Sequence, residues 1–104
     1  MHEEKLFTSL ATAIEHWESM GSADMDDAES AADRFEQSFY EFVDVFRHWV
    51  DQLSERPDTV EELLKIPTCQ SIMDRLPVPL LLNFETEAEL IIDQMTRVEE
   101  DKYD

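Results

Sequence analysis

An all-α fold is what this sequence predicts, and two observations carry the prediction. The chain of 104 residues contains a single glycine, Gly21, whereas turn-rich β architectures need glycine at positive φ. Its longest apolar pattern, from Ala28 to Leu53, advances in steps of four and three rather than two. Together they predict one domain over residues 1–104. The domain is expected to be a single helical bundle with main helices at about 3–19, 26–55 and 79–101 and short helices at about 58–66 and 68–76. The length suits one ordinary domain, and a hydrophobic fraction of 42% is enough for a core.

Leu6, Leu10, Ala13, Ile14 and Trp17 recur at steps of three and four and define the first helix. Gly21 is expected to end it, ahead of the polar turn "SADMDD". The second helix carries a seam at Ala28, Ala32, Phe35, Phe39, Phe42, Phe46, Trp49 and Leu53, widened by Val43 and Val50. Asp24, Asp26, Asp27 and Glu29 crowd its start, where the helix dipole favours negative charge, and Pro57 is expected to stop it. At 1.5 Å per residue it would be about 45 Å long.

Asp58 with Glu61 predicts a capping box for the third helix. The fourth has one apolar face, Cys69, Ile72, Met73 and Leu76, closed by Pro77. The last helix carries a seam at Leu81, Phe84, Ala88, Ile91, Met95 and Val98. Pro79 suits its first position, and Thr86 with Glu89 marks an alternative later start. Glu99, Glu100 and Asp101 oppose the dipole at the C-terminal end, so residues 99–104 are expected to fray.

The strongest compositional feature is charge: 26 acids against 8 Lys and Arg, a formal net charge of −18. Such a chain repels nucleic acid and anionic membranes and favours basic partners. A solvated acidic surface, or adaptation to high salt with no site implied, would produce the same composition. The lone cysteine, Cys69, cannot form an internal disulfide, which suits a reducing cytosol, and its place on an apolar face predicts a buried, inert thiol. "MHEEKLFTSL" lacks an apolar core of signal-peptide length, and the run "PVPLLL" is too short to span a bilayer, so a cytoplasmic location is expected.

On the second helix Glu41, Asp44, His48 and Asp51 fall opposite the seam, a solvated face or a docking surface for a basic protein. With Glu87 and Asp93 of the last helix, Glu41, Asp44 and Asp51 are the candidate partner-binding residues, acting through steering and charge pairing. That reading makes the chain an inhibitor, an antitoxin- or immunity-like module, a DNA mimic or an adaptor. The nine acids between Asp26 and Glu55 fall about 5 Å apart along a helix, against ~1.7 Å between charges on duplex DNA. Mimicry would therefore need acids from several helices on one face. "LPVPLLLNF", residues 76–84, is either a buried connection or an apolar surface for a partner or a second copy of the chain.

Enzymatic chemistry has less to rest on. No H-E-x-x-H or G-x-S-x-G motif occurs, and a single glycine rules out a glycine-rich phosphate loop, so no catalytic residue is assigned. One alternative stands beside the binding reading. "EHWE" (Glu15, Glu18) and "EFVD" (Glu41, Asp44) lie on successive predicted helices, an order that resembles the magnesium site of the MazG-like all-α nucleotide pyrophosphohydrolases. The resemblance implies that Glu15, Glu18, Glu41 and Asp44 hold Mg²⁺ against a nucleoside triphosphate, where hard oxygen ligands suit a hard cation that activates water.

Overall fold

The computed structural model describes residues 3–21, 24 and 26–101, with side chains described through residue 94. The chain is all-α, with five helices and no strand among the described residues. They are α1 (Glu3–Gly21), α2 (Ala28–Asp51), α3 (Val60–Leu64), α4 (Pro67–Arg75) and α5 (Val78–Asp101). The chain divides into two compact units, Met1–Gln52 and Leu53–Asp104. No helix among the described residues is long and apolar enough to cross a membrane.

The first unit is a hairpin of α1 against α2. Leu6, Leu10 and Ala13 of α1 are buried with Phe39, Phe42, Val43, Phe46, Trp49 and Val50 of α2. Fully burying a phenylalanine contributes about 1.5–3 kcal/mol, so Phe42 and Phe46 are among the main anchors of the unit. Ring contacts run without interruption through Phe35, Phe39, Phe42, Phe46 and Trp49, with centroids 5.8–6.3 Å apart. Trp17 joins this ladder from α1 at 5.2 Å from Phe35. Ser38 is the buried polar side chain here, and its hydroxyl donates to the Phe35 carbonyl at 2.9 Å.

The expected seam of α2 is correct in its middle and wrong at its ends. Ala28 is exposed, and Ala32 and Phe35 are only half-buried. Trp17 meets Phe35 four residues before α1 ends, so the first turn of α2 lies past the last cover that α1 provides. The helix also stops at Asp51, short of the expected residue 55. Pro57 constrains the residue before it and the carbonyl four residues back, Leu53, so its reach stops short of Asp51. Instead the Gln52 N–H is shared between the His48 and Trp49 carbonyls, both at 3.2 Å, the bifurcated closure common at helix ends. Gly21 is the last residue of α1, the expected end of the helix, and it does not have positive φ, so the end is made without a left-handed cap. Ser22, Ala23 and Met25 of the expected turn lie outside the described residues.

In the second unit Leu63, Cys69, Ile72, Leu76, Leu80, Phe84, Ala88, Ile91 and Ile92 are buried. The side-chain cap of α3 falls one residue later than expected, and the return bond from Glu62 goes to the residue before the cap. Thr59, extended at φ −130° and ψ 157°, accepts the Glu62 N–H on its hydroxyl at 3.2 Å. Glu62 in turn accepts the Asp58 N–H at 3.0 Å. Thr59 has the extended backbone usual for a capping residue, which aims its hydroxyl back at the first turn.

Ile66 is extended because Pro67 follows it, and Pro67 starts α4. α5 begins at Val78, and Thr86 lies inside it with its hydroxyl donating to the Leu82 carbonyl at 2.9 Å, which excludes the later start. The inward face of α5 passes through Leu80 rather than Leu81, which is half-buried. The segment 76–84 accordingly splits: Leu76, Leu80 and Phe84 are buried, whereas Val78 and Leu82 are 79% and 70% exposed. The side chains of Met95 and Val98, and residues 102–104 of the tail expected to fray, lie outside what is described.

Candidate functional site

The outward face of α2 follows from helix geometry. At 3.6 residues per turn, positions 7, 11 and 18 residues apart return to nearly the same direction. Asp33, Tyr40, Asp44 and Asp51 have this spacing, so they form one stripe along α2, and all four are exposed. Tyr40, the residue that sequence reasoning missed, is 54% exposed in the middle of it. Its ring packs edge-on against Phe39 at 5.9 Å, so a core residue supports its position. The available signal was an aromatic residue standing off the four-and-three seam.

Asp44 is the electrostatic centre of the stripe. Arg47 Nη1 lies 3.5 Å from its Oδ1, and His48 Nδ1 lies 3.9 Å from its Oδ2. His48 Nδ1 also lies 2.8 Å from the Asp44 carbonyl oxygen, a geometry in which Nδ1–H donates. All of these groups are exposed, so the pairs contribute little to stability and are easily exchanged for a partner's charges.

The expected docking residues do not all share this face. Asp44 and Asp51 do. Glu41, three residues before Asp44, is turned about 60° around the helix, towards α1. Glu87 and Asp93 belong to the second unit, the first half-buried and the second exposed, and lie about 120° apart around α5.

Glu41 lines a hollow of about 240 Å³ between α1 and α2, together with Thr12, His16, Arg34, Gln37 and Ser38. His16 faces it from α1, while its neighbours Glu15 and Glu18 are exposed and do not line it. No three or more His, Cys, Asp or Glu side chains among the described residues come together as a group able to hold a metal ion. Glu15, Glu18, Glu41 and Asp44 are all described, so the magnesium-ligand set implied by the resemblance is not assembled in this chain. The reason is rotational: on α1 the residue aimed at Glu41's hollow is His16, and Asp44 faces outward.

Cys69, the chain's one nucleophilic thiol, is fully buried, and burial pushes its pKa up to about 12. Thiolate chemistry at neutral pH is closed to it. The chain matches no protein-family model, no curated protein and no solved structure.

Proposed function

We propose that the chain acts by binding a basic protein, as an inhibitor, an antitoxin- or immunity-type module or an adaptor in a reducing compartment such as the cytoplasm. The observation that supports this reading is Tyr40 standing exposed within the row Asp33, Asp44 and Asp51. An exposed tyrosine offers a ring face to lysine or arginine and is one of the residue types that dominate binding energy at interfaces. Carboxylates on the same stripe add charge pairing, and the net charge of −18 steers a basic partner in from a distance. Asp33, Asp44 and Asp51 are spaced by about 10–17 Å along the helix, too far apart to imitate a phosphate backbone at ~1.7 Å per charge. The surface therefore suits a few lysines or arginines on a folded protein better than a DNA-binding groove.

The test is capture from a cell extract on three immobilised proteins: wild type, the stripe variant Asp33→Lys/Asp44→Lys/Asp51→Lys, and a charge-matched control, Glu4→Lys/Glu61→Lys/Glu89→Lys. Both variants change the net charge by the same amount. A basic protein held by the wild type and the control, released by salt, and lost from the stripe variant and from Tyr40→Ala supports the proposal. Equal loss from the stripe variant and the control reduces the effect to bulk charge and sinks it, as does the absence of any salt-sensitive basic protein.

A further inference from the structure

We infer that the hollow between α1 and α2 is a binding site for a small zwitterion of the amino-acid class, its carboxylate on Arg34 and its ammonium on Glu41. The hollow measures about 240 Å³ and is lined by Thr12, His16, Arg34, Gln37, Ser38 and Glu41. That is below the range of about 300–1,000 Å³ usual for drug-sized ligands and leaves room for a compact one. Each of the six lining residues carries a polar group, unlike the apolar and aromatic residues of most ligand pockets, so charge and hydrogen bonding can orient a ligand there.

Four of its side chains have their hydrogen-bonding capacity to spare. His16, Arg34, Gln37 and Glu41 make no hydrogen bond or ion pair with the described residues. The two hydroxyls are different: Thr12 donates to the Thr8 carbonyl at 3.1 Å and Ser38 to the Phe35 carbonyl at 2.9 Å. With their protons engaged, they face the hollow as acceptors only. The rim thus holds a guanidinium and an amide as donors and a carboxylate and two hydroxyl oxygens as acceptors. Arg34 presents the planar fork that fits a carboxylate, and the acceptors suit the three protons of an ammonium group.

Net charge decides between ligand classes. A phosphate or a nucleotide would meet Arg34 favourably but would approach a chain of charge −18. A simple cation would be attracted everywhere on this surface and would find Arg34 opposed to it here. A zwitterion carries no net charge, escapes the long-range repulsion and uses both signs of the hollow. Four of the six lining residues are exposed, so much of the ligand stays in water and the Kd is expected in the millimolar range.

The experiment is an NMR titration of the full chain, following the His16 ring protons and the Gln37 side-chain amide. The probes are L-glutamine, propionate (carboxylate only), propylamine (ammonium only) and the blocked dipeptide N-acetyl-Lys-Glu-amide, which carries both charges on side chains. L-Glutamine is expected to give saturating shifts, either single-charge probe to bind at least tenfold more weakly, and Arg34→Gln and Glu41→Gln each to abolish saturation. Circular dichroism of the two variants establishes that the exposed substitutions leave the fold intact. Stronger binding of the dipeptide than of L-glutamine would make the source of the zwitterion a protein partner's paired side chains; the reverse would make it a free amino acid. No saturation with L-glutamine or the dipeptide, propylamine equal to L-glutamine, or an unaffected Arg34→Gln variant would overturn the inference. The partner experiment substitutes Asp33, Asp44, Asp51 and Tyr40 instead, so the two proposals can fail separately.

Discussion

Trp17 and Phe35 meet edge to face, with ring centroids 5.2 Å apart and planes at 61°, and so tie the end of α1 to the early turns of α2. Both are half-buried, so their value lies as much in the ring pairing as in area removed from water. Such aromatic pairs contribute about 0.5–1.5 kcal/mol beyond burial. Trp17→Ala and Phe35→Ala are each expected to destabilise the first unit, and the double variant to lose less than the sum by a coupling of that size. Urea unfolding followed by circular dichroism measures it. Strict additivity would show that the two rings are neighbours without being partners.

Gly21→Ala is expected to stabilise the first unit by about 0.4–1 kcal/mol. Gly21 does not have positive φ, and a Cβ added there would meet nothing within 4 Å. The substitution therefore only narrows the unfolded ensemble and improves helix propensity at no cost in sterics. A rise in the urea midpoint is the expected result. A fall would mean that residue 21 needs backbone freedom that only glycine has.

At the start of α3, Thr59→Ala is expected to cost about 1 kcal/mol and Asp58→Ala much less. Thr59 supplies the hydroxyl that accepts the Glu62 N–H, whereas Asp58 contributes its backbone N–H, which the alanine variant keeps. Native-state hydrogen exchange over residues 60–64 separates them. Equal loss of protection in both variants would place the cap on Asp58 after all.

The contrast between α2 and α3 shows what could be read in advance. The middle of α2 was legible because eight positions repeat one spacing and no other face is apolar enough to compete. The five-residue α3 gives no periodicity to count, so its start rested on two adjacent residues that can both cap. Of the two, Thr59 is the one whose hydroxyl accepts the Glu62 N–H. In α5 three consecutive leucines made Leu80 and Leu81 equally good seam positions, and packing chose Leu80. At the site, Asp44 and Asp51 were legible from their rotation about one helix. Tyr40 is missed when the outward face is marked by charge alone, and the hollow is illegible because it needs His16 and Arg34 from two helices to line one space.

Cys69 is fully buried, and that burial sets two expectations with one cause. The native thiol is expected to react with Ellman's reagent only as fast as the second unit opens, since the thiolate is the nucleophile and its pKa is pushed up to about 12. The same shift makes stability depend on pH. Below pH 9.0, the ordinary value, the thiol is protonated whether the chain is folded or not, and it adds no slope. Between pH 9.0 and about 12 the unfolded chain gives up this proton while the folded chain keeps it, so stability falls as pH rises. At pH 10.5 the loss from this group is expected to be about 2 kcal/mol relative to neutral pH. Lysines and tyrosines also titrate there, so the measurement is the difference between wild type and Cys69→Ala in urea unfolding by circular dichroism. Wild type is expected to lose more stability than the variant on going from pH 7.5 to 10.5. Parallel losses, or a thiol that reacts at the rate of a free cysteine, would mean that water reaches Cys69 in the folded chain.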